Sequence, residues 1–169
     1  MVGTGYVGLV SGTCFADIGN QVYCVDKDKN KIDKLNSGVS PIYEPGLDEL
    51  IKKNYNANRL IFTTDIKKAI NSSDLIFICV GTPTKKGSLK VDLSFVYKCV
   101  QEILKHTKKK KIIITKSTVP VGTGDEIEKI IKKKKKLFSI ISNPEFLREG
   151  EAIRDFRYPD RIVIGSDNK

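Results

Sequence analysis

With 169 residues, 40% hydrophobic and 30% charged, the chain has the size and apolar content of one domain with a sizeable buried core. No stretch is long and apolar enough to cross a bilayer as a helix, and the front lacks the pattern of a signal peptide. The net charge of +10 comes mostly from lysine runs at 108–111 and 132–136. These hold neither arginine nor aromatic residues, so they read as solvated faces and not as a nucleic-acid site.

Gly3-Thr4-Gly5-Tyr6-Val7-Gly8 has the spacing G-x-G-x-x-G, in which a strand runs into a glycine turn and the turn opens a helix. Only Met1 and Val2 are left for the feeding strand, against about five or six residues in an average one. The first strand is therefore expected to be largely truncated. Residues 21–25 predict the next strand, and 29–36 a short helix stopped by Ser37 and Gly38. A loop at 41–45 leads to a helix over 46–54 with Leu47, Leu50 and Ile51 on one face. Residues 60–63 form a short strand, and Asp65 caps a helix through Ile70. Residues 75–80 are apolar without alternation, which marks a parallel strand covered on both faces.

Beyond a loop at 81–91, Asp92 caps a helix through about His106. Strands follow at 111–115 and 137–142, with a helix at 122–134 between them, and 161–165 is a last strand-like run. Strand–helix alternation from end to end predicts an α/β fold: a doubly wound, Rossmann-like parallel sheet with right-handed crossovers, in one domain over 1–169.

The glycines have distinct tasks in such a unit. Gly3 permits the tight turn, Gly5 lets a pyrophosphate approach the backbone, and Gly8 lets helix and strand pack closely. The helix start offers N–H groups to the phosphates. Asp26 ends the second strand about twenty residues on, where a carboxylate accepts bonds from an adenosine ribose and repels a 2′-phosphate. That favours NAD over NADP. Cys14, Cys24, Cys79 and Cys99 have no C-x-x-C or metal-ligand spacing, and they read as buried free thiols in a reducing cytoplasm. Three further loops follow predicted strands: Gly81-Thr82-Pro83-Thr84, the segment 116–123 with Thr118 held extended before Pro120, and 143–150. Glu145 and Glu149 are four apart and would share a face in a helical turn; with Arg148 they supply a base, a cofactor contact and an anion contact. An ordinary strand-to-loop turn fits Thr82 equally well, and a capped, solvated helix start fits 145–149.

These loops, in this order, resemble the UDP-glucose 6-dehydrogenase branch of the nucleotide-sugar dehydrogenases. The matching segments are GTGYVGLVSG, SPIYEPGLDEL, VGTPT, KSTVPVGT, NPEFLREGEAIRDF and YPDRIVIG, which together cover nearly the whole chain. The resemblance implies oxidation of the C6 alcohol of UDP-glucose to a carboxylate with two NAD. It implies that Gly3, Thr4, Gly5, Tyr6, Val7 and Gly8 hold the pyrophosphate, with Asp26 on the ribose and Lys31 beside it. Thr82 and Thr118 would line the cofactor pocket, Thr118 also holding a water. Glu145 would act as base with that water, and Glu149 would meet the nicotinamide end. Glu145, Phe146, Leu147, Arg148 and Glu149 would form the substrate strip.

The family's nucleophilic cysteine belongs to a later, glycine-rich domain that none of the four cysteines here matches. The chain is therefore expected to lack the central helix and that domain, to be inactive alone, and to need a second polypeptide. A non-catalytic NAD-binding remnant, or a dehydrogenase of GDP-mannose or UDP-N-acetylmannosamine, stands as the alternative.

Overall fold

In the computed structural model a parallel sheet is built around two residues. The structure describes residues 1–166 except Lys86 and Leu89, and leaves aside the side chains of Lys133 and Lys135, two members of the second lysine run. Val2 bridges Val25 on one side and Ile78 on the other, both in parallel. Its N–H donates to the Phe77 carbonyl at 2.8 Å and its carbonyl accepts from Cys79 N–H at 2.8 Å. On the other side, Val25 N–H donates to the Met1 carbonyl at 2.9 Å and Gly3 N–H to the Val25 carbonyl at 2.8 Å.

Outward from this stub run β1 (Val22–Val25) and β2 (Leu60–Thr63) in one direction. In the other run β3 (Leu75–Ile78), β4 (Lys111–Thr115) and β5 (Phe138–Ser142). All neighbours are parallel, so the order is β2-β1-stub-β3-β4-β5. This two-residue strand stands at the centre, and strand order reverses beside it. Such a switch point is where open α/β sheets leave room for a ligand.

Two apolar clusters flank the sheet. Leu9 and Val10 of α1 (Tyr6–Asp17) pack with Leu35 of α2 (Lys29–Asn36), Leu47 and Ile51 of α3 (Leu47–Asn56), and Cys24 and Leu60 of the strands. Ile70 of α4 (Ile66–Ser72), Val100 and Ile103 of α5 (Ser94–His106), and Ile127 and Ile131 of α6 (Thr123–Ile131) cover Ile76, Ile78 and Ile113. The Asp65 cap is as expected, its carboxylate accepting from Lys68 N–H at 2.9 Å. Asp92 lies one residue farther out than expected: α5 is capped at Leu93, and Asp92 accepts from Ser94 N–H.

Four expectations change. The helix at 122–134 ends at Ile131 and tightens into a 3₁₀ segment, Lys132–Leu137, with Lys134 off helical geometry. Five successive lysines place like charges at helical neighbours, which disfavours continuing the helix. The 161–165 run makes only an antiparallel bridge, Gly165 to Ser142, while Ile162 and Ile164 stay 67% exposed. The third change is a short helix, α7 (Ala152–Arg157), where none was predicted.

The fourth concerns β3, which is not covered on both faces. Ile76 and Ile78 are buried, Leu75 is exposed, and Phe77 joins Ile114 and Ile141 along a groove of about 810 Å³. Phe15 of α1 and Phe156 of α7 line that groove, with the Phe15 ring 5.2 Å from Phe77 and 4.9 Å from Phe156.

Candidate functional site

Parallel register lines up the strand ends. Val25, Val2, Ile78, Thr115 and Ser142 are neighbours across the sheet, so the residues that follow them form one row: Asp26, Gly3, Cys79, Lys116 and Asn143. The glycine turn and the loops that begin at 81, 116 and 143 all leave the sheet from this edge.

The glycine turn is shaped by close backbone approach. Gly3 has φ +100°, and a Cβ there would lie 2.6 Å from the Cys79 carbonyl oxygen; one on Gly8 would lie 1.9 Å from that of Gly3. Gly5 caps α1, and a Cβ on it would meet nothing within 4 Å. The backbone is thus open at the helix start, where a phosphate would need to approach.

Asp26 is fastened to this turn. Its Oδ2 accepts from the Thr4 N–H at 2.9 Å, the Thr4 hydroxyl at 2.8 Å and Lys31 Nζ at 3.2 Å, and its Oδ1 accepts from Asp28 N–H at 3.1 Å. Burial works to raise its pKa, yet these donors outweigh burial and hold the carboxyl below the ordinary range. Asp26 is therefore an anion at neutral pH, beside the glycine turn and backed by Lys31. These residues fit an NAD: open N–H groups for its pyrophosphate, and an ionised acceptor for ribose hydroxyls.

Across the row, the Thr82 hydroxyl donates to the Thr118 carbonyl at 2.9 Å, which ties the loops after β3 and β4 together. Ser117 anchors the second loop through its hydroxyl to the Val80 carbonyl at 2.7 Å, and Thr118 is exposed. Residues 143–149 are not helical, so Glu145 and Glu149 do not share a helix face as expected. Asn143 and Pro144 follow β5 directly, and Glu145 folds back to accept from Leu147 N–H at 2.9 Å. Phe146 is 46% exposed beneath the Arg161 guanidinium, and Glu149 is exposed. The Arg148 side chain is engaged elsewhere: its Nε and Nη2 donate to the Asp155 carboxylate at 3.0 and 2.6 Å. That pair holds Asp155 down at about 2.

Two members of the constellation escaped sequence reasoning. Lys116 is 8% exposed, and its Nζ donates to Asn143 Oδ1 at 3.3 Å; burial pushes its pKa down, against the pull of Cys79 and Glu145. Glu44, from the SPIYEPGLDEL segment, is 5% exposed and bonded to Tyr6 and Gly150. The signal for Lys116 was its place just after a buried strand, and for Glu44 an acid between two prolines that the local pattern left without a task.

None of the cysteines is placed as a nucleophile. All four are free and buried, as expected, and burial raises Cys14 and Cys24 to about 11 and Cys79 and Cys99 to about 12. Among the described residues no cluster of His, Cys, Asp and Glu could hold a metal ion.

Comparison with known proteins gives a consistent result. The profile of the UDP-glucose/GDP-mannose dehydrogenase family, NAD binding domain, matches residues 1–169. A UDP-glucose 6-dehydrogenase of Rhizobium meliloti (strain 1021) is 55% identical over 169 residues, which cover 99% of this chain and 39% of the relative. One from Bacillus subtilis (strain 168) is 53% identical, with 98% and 36% covered. Among solved structures, a ternary complex of GDP-mannose dehydrogenase from Pseudomonas aeruginosa has a TM-score of 0.91 at 41% identity, covering 98% of this chain and 40% of the other. A UDP-glucose dehydrogenase from Pyrobaculum islandicum has a TM-score of 0.91 at 37% identity, with 99% and 40% covered. The chain belongs to the UDP-glucose/GDP-mannose dehydrogenase family, and it is that family's NAD-binding domain which it matches from end to end.

Proposed function

We propose that this chain is the cofactor-holding part of a UDP-glucose 6-dehydrogenase, which converts the C6 alcohol of UDP-glucose to the carboxylate of UDP-glucuronate. The observation that carries the reading is the row at the strand ends, with an ionised Asp26 bonded to Thr4 of the glycine turn and the Thr82, Thr118 and Glu145 loops beyond it. Bound NAD supplies the hydride acceptor. The glycine turn, from Gly3 to Gly8, holds the pyrophosphate through backbone N–H groups, and Asp26, with Lys31, holds the adenosine ribose. Thr82 and Thr118 would line the cofactor pocket, and Glu149 would meet the nicotinamide end. Glu145 takes the proton from the substrate hydroxyl or from a water held at Thr118. Phe146 and Leu147 present backbone groups to the diphosphate, while Asp155 engages both the guanidinium and the backbone N–H of Arg148.

The chain spans 36–39% of the length of these curated relatives. Oxidation through a covalent thioester needs a nucleophilic thiolate, and four buried thiols with raised pKa values do not offer one. The cysteine and the sugar-binding residues are therefore supplied by a portion outside these 169 residues. Co-expression with a chain supplying that portion should restore UDP-glucose-dependent NADH formation. In that mixture Glu145→Gln should lower kcat by about 100-fold or more, the usual contribution of a general base. A folded mixture that binds both ligands and makes no NADH would overturn the reading.

A further inference from the structure

Glu44 lies in none of the loops that leave the strand ends, yet its carboxylate joins two of the site's segments. Oε2 accepts from the Tyr6 hydroxyl and from Gly150 N–H at 2.8 Å. Oε1 accepts from Ala152 N–H at 2.8 Å and Ile153 N–H at 3.4 Å. The Tyr6 hydroxyl oxygen in turn accepts from Gly150 N–H at 3.0 Å. One buried carboxyl group is thus satisfied by four neutral donors: one from the glycine turn, three from the segment that closes the Glu145–Glu149 strip.

The geometry is over-determined. Gly150 has φ +88°, a left-handed turn that brings its N–H within reach of both oxygens. Leu147, Ile153 and Ile42 pack against the same apolar cluster as Leu9 and Leu47, so the strip and the loop that carries Glu44 rest on α1 and α3. Tyr6 is the first residue of α1, and its backbone N–H is one of the groups the pyrophosphate would meet. A buried carboxylate that loses one donor is costly, so its partners move together and not singly.

From this we infer that Glu44 is a positioning residue: it couples the pyrophosphate turn, through Tyr6, to the backbone of residues 147–153, so that occupancy of the turn orders the substrate strip. The inference rests on the reading of the glycine turn as an NAD site.

Hydrogen exchange read at the amides of Gly150, Ala152 and Ile153, with and without NAD, tests it, and calorimetry on the same samples reports whether NAD is bound. In the unmodified chain, saturating NAD should slow exchange at these amides by about tenfold. Glu44→Gln keeps the volume but sets an amide donor or a neutral oxygen against Gly150 N–H. It should bind NAD within about threefold of the unmodified chain, because the turn and Asp26 remain, yet lose the NAD-dependent slowing. Glu44→Ala should do the same. A purely structural role would speed exchange equally with and without NAD. Bound NAD that leaves these amides unchanged in the unmodified chain, or slowing that survives in Glu44→Gln, overturns the coupling. A flat calorimetric trace overturns the NAD reading itself, and the coupling with it.

Discussion

Gly8 and Asp26 show how far single residues fix this site. A methyl group on Gly8 would collide with the Gly3 carbonyl, part of the backbone and unable to swing aside. Gly8→Ala should therefore cost at least the 1–3 kcal/mol of ordinary overpacking, and a thermal melt should fall by roughly 5–10 °C or show no folded baseline. Asp155 makes a pH prediction. Its folded pKa, held at about 2 mainly by Arg148, lies below that of an unfolded aspartate. The pair therefore stabilises the fold fully above about pH 4, and the contribution fades as pH falls toward 2. Acid unfolding followed by circular dichroism should be less steep in that window for Asp155→Asn. Gly3, Gly8 and Asp26 were legible in the sequence because local geometry dictates them. Glu44 and Lys116 were not, since each acts on segments remote in the chain: Glu44 reaches Gly150, and Lys116 reaches Asn143.

At the level of elements, apolar runs gave β2 and β4 with their full bounds, and the Asp65 cap marked the start of α4. Charge repulsion within 132–136 and the exposure of 161–165 were hidden, because an apolar run does not reveal whether a neighbour exists to cover it. The contrast is measurable. Ile113, in β4, is fully buried, and Ile113→Ala should cost about 2–5 kcal/mol in urea denaturation. Ile162→Ala should change stability by less than about 0.5 kcal/mol, since that side chain is 67% exposed. A large effect at Ile162 would show that the 161–165 run is a packed strand after all. The short helix α7 went unpredicted for a similar reason. Its start is fixed by the distant Glu44 carboxylate, and its own side chains do not form a cap.

The molecule as a whole is a sheet whose strand order reverses beside a two-residue stub, with chemistry collected along one edge and an uncovered apolar groove on one face. A fluorescent dye specific for apolar surface should bind that groove, and a charged substitution within it, Ile141→Lys, should weaken the signal. The claim on which everything else depends is that the row from the glycine turn through Asp26 holds NAD, and a calorimetric titration of folded protein with NAD tests it most directly. Saturable binding is predicted, weakened at least tenfold in Asp26→Ala, in line with about 1.5–3 kcal/mol for hydrogen bonds to a charged group. Absence of binding at millimolar NAD, or an unchanged affinity in Asp26→Ala, would contradict it.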